Sequence, residues 1–467
     1  MTKCSTTAVI LMSGLSRRIY CVISIAALLR SAQMGGAMPT TEQRGDYVER
    51  FIAGLSSMFF LNDFVFRKPS YQTHGQKREV TDLMLVLGQE CMFVSVKGTD
   101  GEDKTVGRFR LWAQKKAGQA ARNARVACQR AARVDVSGVN LWGEERTFPA
   151  ASLTPICGLG LVECTQEIFA PIPLPNVPGP DGTGSCPVHT LSINDFLNVV
   201  MLLGSIWDVF NYFKRRATVS QLLPGLNMER PLVCYYTLKS REDFSGFRAE
   251  DAGQLAELHQ LFMLDKLPEF GERDRLAGYI NAVVHQLHTR HRDFEQYAPP
   301  EFRSMIEPAN RRQAYLGMAA LLNALPMSNK AWLGRQIESC IGEAGKTQRC
   351  RCFLYKQLLG EIVFVFAVFV GWSRRDKLRG LSKLLPAAQH CTGMIEALGV
   401  AYDGEDEGMG FDLLWRRGPI EDIEAAAALA KEVFSGEMET QCPTPFGDPR
   451  PYVPGGVPGQ NAGGRTE

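Results

Sequence analysis

The chain has 467 residues, 45% of them hydrophobic and 22% charged, with a formal net charge of +2. That length predicts two to four domains, and the composition excludes a disordered, collagenous or disulfide-stapled class. The balanced total charge decides nothing about a nucleic-acid partner, so local charge has to carry that question.

Residues 1–37 read as an N-terminal extension. Arg17 and Arg18 precede an apolar run from Ile19 to Leu29, as in a short signal segment, but Ala8 to Met12 is also apolar and Arg30 closes the run at once. A misplaced start, with Met38 as the true one, is the preferred expectation over a genuine signal. The first domain is expected over 38–170. Asp46 to Met58 has Val48, Phe51, Ile52 and Leu55 at helical spacing. Asn62 to Phe66 reads as a short aromatic strand.

The next segment carries the functional signal. Asp82 is followed by the apolar run Leu83 to Leu87, a turn of Gly88, Gln89 and Glu90, and a second run from Cys91 to Val96 that ends on Lys97. Two apolar strands joined by a tight turn predict a buried hairpin. Side chains alternate along a strand, so Ser95 and Lys97 share one face while Val94 and Val96 point to the other. One aspartate at the start of a strand and one lysine at the end of the next can face a common site.

From Lys104 to Val134 there is no acidic residue, and nine lysines and arginines fall in the window. At helical pitch Ala113, Ala117, Ala120, Ala121, Ala124, Ala127, Cys128 and Ala131 collect on one face. Lys115, Arg122, Arg125, Gln129 and Arg133 collect on the opposite face, with Val126 as the exception. The small stripe predicts close packing on a sheet. The basic stripe, with Lys116 beside it, is either a solvated face or a surface for phosphates, and the absence of acids favours the second. Gln119 falls on the polar side, away from any site on the sheet.

Val139 to Phe148 and Gly158 to Ile168 read as further strands. A Pro- and Gly-rich stretch, 171–188, reads as a linker. Residues 189–440 read as a mainly helical second domain. It includes a core helix from Ser192 to Arg216 and strands at Leu232 to Leu238 and Ile362 to Val370. The tail, 441–467, is polar and Pro/Gly-rich, which predicts disorder. His285, His288 and His291, near Asp293 and Glu295, are either structural or a metal cluster, with structure preferred. Trp372, Arg374, Arg375, Lys377 and Arg379 follow the strand at Ile362 and read either as a basic turn for phosphate or as solvated charge. The 13 cysteines form no Cys-x-x-Cys pair, which predicts reduced thiols in a cytoplasmic protein. The longest apolar run of the C-terminal half, Ile362 to Trp372, is too short to span a membrane.

The pattern of Glu49 on a helix, Thr81-Asp82, Ser95-Val96-Lys97 and a following basic helix resembles the PD-(D/E)XK nuclease superfamily, over about Gly45 to Arg133. The resemblance implies a mixed sheet flanked by helices, the restriction-endonuclease-like core, as in uncharacterised bacterial members. It implies a metal-dependent nuclease acting on DNA, with Mg2+ or Mn2+ held by Glu49 and Asp82 and with Lys97 as the catalytic lysine. Lys115, Lys116, Arg122, Arg125 and Arg133 would contact DNA, and no small-molecule cofactor is expected. The family has Asp or Glu where this chain has Ser95. Glu79 and Gln119 are the replacements to weigh, and neither is well placed by the register. The alternative is a catalytically inactive nuclease fold that binds nucleic acid or a partner protein.

Overall fold

The computed structural model describes residues 41–60, 64–98, 106–164 except 142, 177–178, 185–216, 229–238, 244, 253–254, 257, 268–297, 317–356 except 320 and 348–350, 362–403 and 411–434. The extension at 1–37 and the tail at 441–467 lie outside them. The architecture is mixed α/β, with one eight-stranded sheet and one four-stranded sheet, each flanked by helices.

The first helix, α1 (Thr41–Phe60), contains the expected Asp46 to Met58 segment. It leads to the hairpin β1 (Val65–Thr73) and β2 (Gln76–Glu79), turned by His74 and by Gly75 at φ 76°. The expected hairpin follows as β3 (Leu83–Leu87) and β4 (Glu90–Lys97), antiparallel with Leu83 opposite Val94. Gly88, at φ 63°, makes its turn. Helix α2 (Val106–Ala131) is the predicted basic helix. Next come β5 (Val136–Asn140), β6 (Glu145–Phe148) and β7 (Thr154–Val162).

Three strand expectations need correction here. The strand near Asn62 starts at Val65 and runs to Thr73. The single strand expected from Val139 to Phe148 is a hairpin, because Asn140 and Gly143 fold a turn in its middle, with Gly143 N donating to Asn140 O at 2.9 Å. The strand expected at Gly158 begins four residues earlier, and residues 165–168 lie outside the described set.

The 171–188 stretch is not a clean boundary. Val177–Pro178 (β8) pairs with Ser185–Cys186 (β9). Then β10 (Val188–Ser192) joins the main sheet in parallel with β7, His189 opposite Leu159. The sheet order is β10-β7-β4-β3-β1-β5-β6, with β2 on β1. A non-local parallel pairing leaves no local sequence signal, so the expected cut at 170 splits a sheet.

Both faces of this sheet are covered. Val65, Leu83, Leu85, Met92, Val94, Val96, Leu159 and Leu161 are buried with Val48, Ile52 and Ala53 of α1. The same core takes in α3 (Ile193–Leu203), α4 (Ile206–Arg216) and α5 (Arg230–Leu238). On the other face Met84, Val86, Cys91 and Phe93 lie under Ala127, Cys128 and Ala131 of α2. The alternation of the two faces along β3 and β4 is the period-2 pattern of the sequence realised in space.

The helix read from Ser192 to Arg216 is two helices. Ser192 caps α3 in a capping box with Asp195, and Gly204, at φ 70°, ends it. Ser205 then caps α4 by accepting from Asp208 N at 3.0 Å. The strand expected at Leu232 to Leu238 is helix α5. A short apolar run cannot be told from a helix by period alone, and Pro231 in the first helical turn favours the helix.

The second sheet lies in the C-terminal half. Strands β11 (Arg351–Lys356), β12 (Ile362–Phe369), β13 (Glu396–Asp403) and β14 (Phe411–Arg417) are ordered as numbered. β12 and β13 are parallel and are connected by α8 (Arg374–Thr392). Every residue of β12 is buried, as its unbroken apolar run predicts. Ile362, Phe364, Phe366 and Val368 face the core of helices α6 (Pro268–Tyr297) and α7 (Met327–Thr347). Val363, Val365, Ala367 and Phe369 face α8 and α9 (Ile423–Phe434).

No helix among the described residues is long and apolar enough to cross a membrane. The nine described cysteines form no disulfide. A buried polar knot ties β10 to α4 and to the entry of α5. Arg216 holds Glu229 with two bonds, Nε to Oε1 at 2.5 Å and Nη2 to Oε2 at 2.7 Å. Arg216 Nη1 lies 3.0 Å from His189 Nδ1, and His189 Nε2 lies 2.9 Å from Phe213 O. An arginine can only donate, so Nδ1 accepts and the proton of the neutral ring sits on Nε2. Burial, then the Arg216 charge, pushes the imidazole pKa well below its ordinary value.

Candidate active site

Asp82 sits one residue before β3, where the register of β3 and β4 brings it beside Ser95. Ser95 Oγ donates to Asp82 Oδ2 at 3.0 Å, and Val96 N donates to the same oxygen at 2.5 Å. Lys97 Nζ lies 3.8 Å from that oxygen. The carboxylate is therefore held by three groups of β4, all on Oδ2, with the side chain 11% exposed. Thr81 Oγ1 fixes the preceding residue by donating to Val94 O at 2.8 Å. The expected meeting of Asp82, Ser95 and Lys97 is thus present as geometry.

Glu49 enters from α1. Its side chain is 15% exposed, and Lys68 Nζ stands 3.5 Å from Oε2. That oxygen is buried and accepts no hydrogen bond. Burial raises the Glu49 carboxyl above the usual carboxylate range, and the Asp82 charge is the next cause. The two acids are thus close enough to repel each other, and Lys68 only partly offsets this.

Two residues join them that strand register alone does not place. Glu79, at the end of β2, is raised by desolvation and then by Asp82, with Lys68 and Lys97 opposing. Lys68 also pairs with Asp46 at 3.2 Å. Lys68 adopts φ 44°, and the pairing of β1 with β5 slips between Arg67 and Ser70. Pro69, which has no N–H to give a ladder, sits in this bulge and is the residue through which the sequence could have revealed it. The bulge turns Lys68 toward α1, and Lys68 N donates to Asp82 O at 2.9 Å.

Gln119 is exposed on the outer face of α2 and takes no part. The small stripe of α2, Ala113 to Ala131, is buried against the sheet. Gly158 and Gly160 of β7 permit that closeness, since a Cβ on Gly160 would stand 2.9 Å from Ala121 N. Lys115, Arg122, Gln129 and Arg133 are exposed as expected. Arg125 and Lys116 are only half exposed. Lys116 Nζ lies over the Trp112 ring at 5.2 Å, and Arg125 Nε is buried without a hydrogen-bond partner.

Comparison with protein-family models, curated proteins and solved structures finds no match to this chain. The site must therefore be judged on its own chemistry.

Glu49, Glu79 and Asp82 are hard oxygen donors, and mutual repulsion of such acids is relieved by a divalent cation between them. Glu49 Oε2, which is buried and accepts no hydrogen bond, fits that role. Among the described residues, however, no group of three or more His, Cys, Asp and Glu side chains is already arranged to hold a metal ion. His285 is exposed, and the side chains of His288, His291, Asp293 and Glu295 lie outside the described residues.

Proposed function

We propose that this protein is a metal-dependent nuclease that hydrolyses DNA phosphodiester bonds at the Glu49, Asp82 and Lys97 site. The observation that carries the proposal is the buried Glu49 carboxylate oxygen, which accepts no hydrogen bond, faces Lys68 at 3.5 Å and lies in the field of Asp82, the partner of Lys97. A buried carboxyl raised by desolvation and by a neighbouring acid is better explained by a ligand it waits for than by stability. Glu49 and Asp82 would hold Mg2+ or Mn2+, which when bound activates water and neutralises the scissile phosphate.

The chain's own residues supply the rest. Ser95 and Val96 N orient Asp82 through Oδ2, which leaves Oδ1 outside these bonds. Lys97 sets a positive charge against the negative charge that develops on the phosphate. Lys68 keeps Glu49 in place. The outward face of α2, with Lys115, Arg122 and Arg133, steers the duplex by its phosphates.

One observation favours a second reading, an inactive nuclease fold that binds nucleic acid. Ser95 stands where the family places an acid, and a hydroxyl is a weak ligand for Mg2+. Plasmid nicking by wild type and Ser95→Glu separates the two. The nuclease reading predicts that the wild type nicks supercoiled DNA with Mg2+ or Mn2+. An inert wild type that binds DNA, with nicking only in Ser95→Glu, supports the second reading and overturns the first.

A further inference from the structure

A groove flanked by cations lies in the C-terminal half, where β12 passes into α8. Gly371, at φ 72°, turns the chain, and Ser373 caps α8 by accepting from Asp376 N. An open groove of about 510 Å³ lies there, lined by Gly371, Trp372, Asp376, Arg379, Gly380 and Lys383. Gly380 closes its floor, because a Cβ there would meet the Phe369 ring at 2.9 Å.

Trp372 is 43% exposed, which is unusual for so large an apolar ring. It rests against Phe369, with the ring centroids 4.9 Å apart. Phe369 is itself buried, so the indole is propped from below and presents a fixed aromatic surface to the groove. Arg379 and Lys383 are exposed, one helical turn apart on the same face of α8. Neither has an ion-pair partner among the described residues. Asp376, the one acid among the described residues that line the groove, is engaged by Ser373, whose Oγ donates to Oδ2 at 2.5 Å.

We infer that this groove binds single-stranded nucleic acid, with a base stacked on Trp372 and the flanking phosphates on Arg379 and Lys383. A propped exposed aromatic beside unpaired cations is the combination that single-strand binding uses, because every base has a π-face and every nucleotide a phosphate. An apolar peptide would leave both cations unanswered, and a membrane surface would leave the stacking face without a planar partner.

The reading does not depend on hydrolysis at Asp82, and its test is run in EDTA. A short fluorescent oligo-deoxythymidylate is titrated into the full chain carrying Lys115→Glu, Arg122→Glu and Arg133→Glu, so that the α2 face does not mask the groove. Binding persists in this background, and Trp372→Ala weakens it by roughly 5- to 100-fold, while Trp372→Phe retains most of it. Arg379→Ala with Lys383→Ala lowers the salt slope of binding by ~1.4, the release expected for two single-strand phosphates. A 5-iodouracil oligonucleotide crosslinks at Trp372 on irradiation. Absence of binding in the charge-reversed background, wild-type affinity in Trp372→Ala, or equal affinity for base-free polyphosphate each overturns the inference. Failure of plasmid nicking alone leaves it standing.

Discussion

Replacing Glu49 with glutamine probes the strain at the site without changing its shape. The substitution removes one ion pair with Lys68, whose side chain is 46% exposed and which keeps its bond to Asp46 at 3.2 Å. A pair whose lysine is this exposed, and which is replaced by a neutral amide, is worth about 1 kcal/mol. Against this stands a buried carboxylate oxygen with no hydrogen bond, a loss of roughly 1–3 kcal/mol that a neutral amide lessens. The balance makes Glu49→Gln more stable than wild type by about 1 kcal/mol at pH 7, a rise in Tm of roughly 2–4 °C for a unit of 150–250 residues. The pH dependence follows from the raised Glu49 carboxyl. A carboxyl raised in the folded state contributes stability below its unfolded value of about 4.5, and that contribution is lost as pH rises through the folded value. The advantage of Glu49→Gln therefore vanishes near pH 4 and grows toward neutrality. Urea denaturation of both proteins at pH 4, 5, 6 and 7 reads it. A glutamine variant less stable than wild type at pH 7, or a difference independent of pH, refutes the reasoning.

Three other outcomes are expected. Lys115→Glu with Arg122→Glu and Arg133→Glu leaves the urea midpoint within error, since all three are exposed, but lowers the salt slope of duplex binding by ~0.9 for each phosphate no longer neutralised. His189 is neutral when folded and its pKa is depressed, so the unfolded chain binds a proton first. Stability falls as pH drops below about 6.5, by up to ~1.4 kcal/mol per unit, and His189→Gln flattens this limb in a denaturation series. Gly160→Ala sets a methyl 2.9 Å from Ala121 N and costs about 1–3 kcal/mol in the same assay, whereas Gly75→Ala, with open space around it, loses less and only through its φ of 76°.

Much of the first sheet was legible because its signals are local. The runs Leu83–Leu87 and Cys91–Val96 alternate between two cores, and the alanines of α2 recur at helical spacing. Those periods placed Asp82, Ser95 and Lys97 together and sent the cations of α2 outward. Lys68 and Glu79 were harder to read, because their position depends on a bulge at Pro69 and on a hairpin that folds β2 back over β1. The β10 strand, which straddles the end of the expected linker and the start of the expected helical domain, went unread because its partner, β7, is distant in sequence. At Leu232 to Leu238 the apolar run fits either period, and helix α5 is decided by its tertiary contacts. The break at Gly204 and Ser205 between α3 and α4 is hidden because the apolar residues on either side keep one helical phase.

The proposed nuclease activity rests on Asp82 and Lys97. The most direct measurement is nicking of supercoiled plasmid in Mg2+ or Mn2+ by wild type, Asp82→Ala and Lys97→Ala, with folding of each variant checked by circular dichroism. Cleavage by wild type and its loss in both folded variants is the predicted result, while salt-sensitive DNA binding through α2 persists. Cleavage that survives both substitutions contradicts the site, and a wild type that binds DNA but never nicks it contradicts the activity.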